Sequence, residues 1–533
     1  MKSEYIGKIY ESLFLAICLS LIFCTTPQSL RISLSAGLSS KLSWLFIFFG
    51  LLVTAFNTEK SELERQYNFT LVLKYISIYV FFLLLSLIIG LYRFPYYDSI
   101  LNAPTIQFDK AQIIYEFLIN HKIYLSKKEF ISVWMILRPI RNFFLETIFT
   151  FGCTYTIYIW FKGKEKLCIK ILIKSVLITV VILLVYSAVE IPYVFYQNEF
   201  CKYILIHLNP ILHDIKDNGT WWPPLLWPDL RLRSVFAEPS YMGIYSAYAM
   251  PWLWYSFISA KKKSYKLSLL MCIALFSFCI FLTKSRTSTV ILFSEIALLM
   301  LMMVFFKVKY KCTSSRKNIV IMFITLVAFL SANFFLTQKP SSSVNSRLKN
   351  QVQSYLEENV GSLNSSNKRS NKARFSMMRA NFKMGLDHPI FGVGVSLRQA
   401  YTIRYLPIEA FDDDEVKGWI QNQKDKGVMK GGFPSLGEYT TRFAETGFIG
   451  VFLFFLPAGY LIIKIIQDIL KKINLNRNIH VLLYYLISFL GILATGIGES
   501  INVTYCYWVM LGVGFVLVNS SSKIPSKREY EST

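Results

Sequence analysis

The sequence predicts an all-α polytopic membrane protein of about twelve transmembrane helices, with a large helical outer loop between the ninth and tenth. Hydrophobic side chains make up 54% of the 533 residues and charged ones only 17%. The mean hydropathy of +0.42 departs from that of soluble domains in the same direction. Apolar runs of spanning or near-spanning length recur along the chain, and dense Lys clusters fall in alternate short loops between them.

The runs cover residues 10–27, 40–56, 69–92, 142–161, 171–190, 240–259, 265–282, 287–306, 318–335, 447–466, 480–498 and 502–519. Residues 1–335 would hold spans one to nine, 336–446 the large loop, and 447–533 the last three spans with a tail. Lys2 and Lys8 before the apolar Leu13–Cys24 resemble a signal peptide, but no small-residue cleavage pattern follows, so this stretch reads as the first span. With the N-terminus in the cytoplasm, KGKEK (162–166), KKKSYK (261–266), KVKYK (307–311) and Lys471, Lys472 and Arg477 all fall inside. The C-terminal tail falls there too, as the positive-inside rule requires. That assignment leaves long outer segments at about 93–141, 191–239 and 336–446. In the last, 372–386 has helical spacing, HPIFGVG (388–394) is a Gly-rich turn, and NSSNKRSN (364–371) is a flexible connector.

The net charge of +24 does not indicate nucleic acid, because the basic residues sit in loops between apolar runs rather than in one folded module. Nine cysteines are scattered, with no CxxC, and five histidines are dispersed, so neither a zinc site nor a disulfide framework is indicated. A transporter or flippase predicts related halves and ionisable residues inside the bundle. No internal repeat relates the halves, and the spans offer few such residues, Glu146 and Lys74 among them.

The outer face breaks the charge rule. Arg138 and Arg141 precede span four, Arg231 and Arg233 precede span six, and Arg286 opens span eight beside Lys284 in TKSRTS. Guanidinium groups match phosphate bidentately, and helix N-termini carry partial positive charge with unpaired N–H groups. Spans four, six and eight run inward, so their starts and these cations would form an anion site at the outer surface. Acids share that level. Glu238 precedes Pro239 and is either a helix-capping anion or a base or substrate ligand. Glu438 and Arg442 read as an i,i+4 pair, with Glu445 one turn on, and Asp412–Glu415 reads as a solvated acidic turn. Trp221, Trp222 and Trp227 read as interfacial anchors, with stacking against sugar rings as the alternative.

RLRSVFAEPSYMG (231–243), TKSRTS (283–288), HPIFGVG and ETGFIGVFLFF (445–455), in that order, resemble the O-antigen polymerase/ligase superfamily. The resemblance implies a bacterial inner-membrane enzyme with both termini cytoplasmic, acting on the periplasmic side. It would move glycan from an undecaprenyl-diphosphate-linked donor to a lipid-linked acceptor without nucleotide sugar, metal or other cofactor. FxEPSxxG looks more like Wzy-type repeat-unit polymerases than ligases, whose His-Asn pair is replaced here by Leu436–Gly437. An O-antigen ligase or a protein O-oligosaccharyltransferase is the alternative. The resemblance implies that Arg233 and Arg286, with Arg231, Arg138, Arg141 and Lys284, hold the diphosphate, and that Glu238, then Glu445, is the base. Membrane lipids and a chain-length regulator complete the implied partners.

Overall fold

The computed structural model describes residues 2–24, 26–27, 30, 41–56, 62–101, 109–213, 215, 223–227, 230–310, 316–337, 369–428, 432–474 and 479–521. Among them the chain is helical, with no strand. The helices are α1 (Lys2–Ser20), α2 (Leu42–Phe56), α3 (Glu62–Tyr92), α4 (Tyr97–Leu101), α5 (Asp109–Asn120) and α6 (Lys127–Phe161). They continue with α7 (Glu165–Tyr196), α8 (Glu199–Leu212), α9 (Pro239–Ser259), α10 (Lys263–Leu282), α11 (Arg286–Tyr310) and α12 (Arg316–Thr337). The last are α13 (Arg369–Asp387), α14 (Arg398–Tyr405), α15 (Asp414–Lys426), α16 (Glu438–Asn474), α17 (His480–Thr495) and α18 (Cys506–Ser521).

Each of the twelve apolar runs lies largely on one of these helices. Stretches of α3, α7, α10, α11, α12 and α16 are long and apolar enough to cross a bilayer, while α2, α17 and α18 are shorter apolar helices. The chain is a multi-pass membrane protein. Several helices run past their apolar runs. The largest difference is at α6, which starts at Lys127 rather than near residue 142. A capping box fixes that start: Ser126 Oγ accepts from Glu129 N at 3.2 Å, and Glu129 Oε2 accepts from Ser126 N at 2.8 Å. The helix continues through Pro139, so Arg138 and Arg141 lie in its interior, not before it. The expected helix-start field therefore does not act at these two arginines.

α9 is the centre of the bundle. Its sequence is apolar on all sides, as a fully surrounded helix requires, and all but a few of its residues are buried. It packs on α17, α11, α10 and α7. Small residues permit the close approach: a methyl group at Gly243 would run into Ser288 of α11, and one at Gly491 of α17 into the Glu295 carboxylate. Glu295 is a buried carboxylate inside α11, masked in the sequence by the apolar residues around it.

One face of the bundle carries α13, α14, a 3-10 turn (Ile408–Asp412) and α15; we call it the loop face. Ala373, Met377 and Ala380 of α13, spaced by four and three, bury against Leu406, Val416, Phe433 and Leu436 in a small core of their own. α13 begins at Arg369, inside the expected connector, whose residues 364–368 lie outside the described ones. Asp413 caps α15 by accepting from Glu415 N at 2.9 Å and Val416 N at 3.3 Å, which accounts for the acidic turn.

Candidate functional site

The strap Arg231–Glu238 crosses the loop face and is tied down at several points. Leu232 N donates to Leu282 O at 3.1 Å, and Arg231 Nε donates to Thr283 O at 2.9 Å. These bonds lay the strap along the α10–α11 turn, where Lys284 is exposed with φ +49°. Arg286 starts α11 at once, and its buried Nη1 makes no hydrogen bond among the described residues. The fold thus brings Arg231, Lys284 and Arg286 to one turn at a helix N-terminus.

Arg233 is directed elsewhere. Only 1% of it is exposed, and its Nη1 and Nη2 donate to Pro224 O and Leu225 O, each at 2.9 Å. Glu190, at the loop end of α7, accepts from Arg233 N at 3.3 Å and Ser234 N at 2.7 Å. Asn209 of α8 donates to Leu225 O and accepts from Tyr186, both at 2.6 Å. The guanidinium fork therefore holds the segment before the strap. Burial and the charge of Arg233 push neighbouring His213 down to about 3, so it stays neutral. Arg138 is half-buried and Arg141 exposed on α6, away from this turn in sequence and without a helix start of their own. Trp227 is half-buried, while Trp221 and Trp222 lie outside the described residues.

Glu238 occupies the N-cap of α9 with Pro239 behind it, but its carboxylate accepts from Ser240 Oγ at 2.6 Å rather than from a helix N–H. Glu499, in the α17–α18 turn, pairs with Arg374 of α13 at 2.9 Å. Burial raises the Glu499 carboxyl to about 6, Arg374 opposes that rise, and the charge of Glu238 adds to it. The α17–α18 turn also abuts the start of α11, since a methyl group at Gly498 would lie 3.9 Å from Thr287 Oγ1.

Glu445 is positioned by two glycine turns that interlock. Gly392 and Gly394 have φ +68° and +104°, and Val393 N and Gly394 N donate to Ala444 O and Glu445 O at 2.9 and 3.1 Å. In return Phe448 N donates to Pro389 O at 2.7 Å across Gly447, which has φ +65°. Ser86 of α3 closes the junction by donating to Phe391 O at 2.7 Å and Glu445 O at 3.2 Å. These are the HPIFGVG and ETGFIG motifs, each needing glycine because the other backbone occupies the space of a Cβ.

Glu445 lines a cavity of about 280 Å³ between α3, α6, α16 and the α17–α18 turn. The expected Glu438–Arg442 pair forms there, beneath Tyr79, with the Arg442 guanidinium 3.4 Å from the centre of the Phe454 ring. Sequence spacing did not reveal Arg374, Arg398 or Asn502 as members of this face. Arg398 is 1% exposed and reaches Asn381, Phe433 O and Ser435, with Nε 4.0 Å from Glu445 Oε1. Among the described residues no group of three His, Cys, Asp or Glu is placed to hold a metal ion.

Residues 271–433 match the family model described as O-antigen ligase. The matched segment contains Lys284, Arg286 and the 388–394 turn, whereas the 231–238 strap and Glu445 lie outside it. No curated protein matches the chain. Its helices make the chain a multi-pass membrane protein, and its residues 271–433 are similar to the O-antigen ligase family.

Proposed function

We propose that the protein is a repeat-unit polymerase of the bacterial inner membrane, with the loop face periplasmic and both termini cytoplasmic. Its substrates are undecaprenyl-diphosphate-linked oligosaccharides, both as donor and as acceptor. The observation that carries this reading is the cationic turn: Arg231, Lys284 and Arg286 meet at the start of α11, and one buried nitrogen of Arg286 has no hydrogen-bond partner among the described residues. Guanidinium and ammonium groups at a helix N-terminus stabilise a diphosphate as its charge grows in the transition state.

In the reaction, an acceptor sugar hydroxyl attacks the anomeric carbon of the donor chain. The new C–O bond forms as the bond to the diphosphate oxygen breaks, the electron pair leaves with the diphosphate, and configuration inverts. A carboxylate, Glu238 or Glu445, takes the hydroxyl proton. The cations balance leaving-group charge, so this reading uses no metal. A chain-length regulator is its natural protein partner.

Polymerase is favoured over ligase by residues 436–437. Leu436, where ligases carry His, is buried in the small core of the loop-face unit. Gly437 has φ +87° and would place a Cβ 2.8 Å from Ile497 O. Neither position supplies an accessible titratable group. Surface glycan from a deletion strain tests the assignment. A single repeat on the lipid A core supports polymerase; absent glycan with accumulated lipid-linked polymer identifies a ligase.

A further inference from the structure

We infer that the cavity under Glu445 is a carbohydrate subsite, separate from the cationic turn, that binds the acceptor sugar and presents its hydroxyl to Glu445. The inference rests on the polymerase reading and assigns to it a second substrate site. Glu146, Glu438 and Glu445 line the cavity, with Arg442 as the lining cation. Arg398 beside Glu445 and Lys41, which donates to Asn502 O, balance these carboxylates, so the cavity offers hydrogen-bond acceptors for hydroxyl groups without the surplus of positive charge that a diphosphate calls for. Phe151, Phe454 and Trp508 supply apolar ring surface for the C–H faces of a sugar.

The lining groups are not equally committed. Glu438 holds Arg442 and accepts from Ser500 Oγ at 2.7 Å and Ile501 N at 3.3 Å. Glu146 accepts from Asn502 Nδ2 at 2.6 Å, while Asn502 accepts from Trp508 Nε1 at 2.7 Å. Among the described residues Glu445 makes no side-chain hydrogen bond; Arg398, whose Nε is buried without a hydrogen bond, lies at 4.0 Å, and Arg442 adds its charge. Its side chain is 24% exposed. Of the three, Glu445 is the carboxylate that receives no hydrogen bond from the described residues, so both its oxygens are open to a ligand proton, and Arg398 stabilises it once it has given the proton up again.

The α17–α18 turn touches both sites. Glu499 faces Arg374 and the field of Glu238, Gly498 abuts the start of α11, and Ser500 and Asn502 face the cavity. One short turn thus borders both the cavity and the start of α11.

The test uses the full chain in lipid nanodiscs with two probes: lipid-linked repeat units extracted from the deletion strain, and undecaprenyl diphosphate without sugar. Asn142 lines the cavity and is exposed. Asn142→Ala is expected to raise the KM for repeat units about tenfold, the loss of one good hydrogen bond to a ligand, and to leave binding of the sugar-free lipid unchanged. Glu445→Gln is expected to lower kcat at least a hundredfold with KM nearly retained. If wild type elongates the repeat units but both variants match it, or if Asn142→Ala weakens the sugar-free lipid equally, the subsite is overturned. If wild type elongates nothing, the polymerase reading falls first.

Discussion

Arg231 and Arg233 are two residues apart, yet one guanidinium binds the Thr283 carbonyl and the other the carbonyls of Pro224 and Leu225, all at 2.9 Å. One arginine joins the strap to the α10–α11 turn; the other closes a buried network with Glu190 and Asn209. Their substitution phenotypes therefore separate. Arg233→Ala leaves two carbonyls and the Glu190 carboxylate without their cation, at a cost of about 3 kcal/mol in stability. Its thermal midpoint in detergent falls clearly, whereas Arg231→Ala leaves the midpoint close to wild type and lowers turnover. Equal midpoints for the two variants would contradict this division.

Gly447 adopts a conformation open essentially to glycine alone, and a methyl group there would meet the Pro389 and Ile390 backbone. Gly447→Ala is expected to spring the two interlocked turns apart and to displace Glu445. Activity should fall at least tenfold, with enhanced proteolysis near residues 388–394. A variant with normal activity and an unchanged cleavage pattern would show that the interlock does not position Glu445.

Glu499 gives the loop face a pH dependence. Burial lifts its carboxyl from 4.5 to about 6. Between those values the folded chain binds more protons here than the unfolded chain, so stability falls as pH rises from 4.5 through 6. The full change is on the order of 2 kcal/mol. Glu499→Gln removes this titration and keeps a hydrogen bond to Arg374. The midpoint of the variant should change less than that of wild type across the window; parallel curves would remove Glu499 as the cause.

The apolar runs made the bundle legible, because a bilayer demands continuous hydrophobic helices wherever it is crossed. Their ends were not legible. Helices continue beyond the hydrocarbon on polar sequence, and the S-K-K-E cap at 126–129 places the start of α6 four turns ahead of its apolar run. The cluster of Arg231, Lys284 and Arg286 was visible as charge in the wrong loops. That Arg233 turns away from it was not, because its partners Pro224, Leu225 and Glu190 come from a loop and another helix. Arg374 meets Glu499 across 125 positions of sequence, and Arg398 meets Glu445 through the interlocked glycine turns. No local spacing encodes either pair.

The central claim is that the turn opening α11 holds the lipid diphosphate during polymerisation. Purified full-length chain in nanodiscs, supplied only with lipid-linked repeat units, tests it through the length of the glycan produced. The account predicts a ladder of polymer with wild type, a weak ladder with Arg286→Lys, and with Arg286→Ala a rate at least a hundredfold lower at equal folded protein. A full ladder from Arg286→Ala would contradict it.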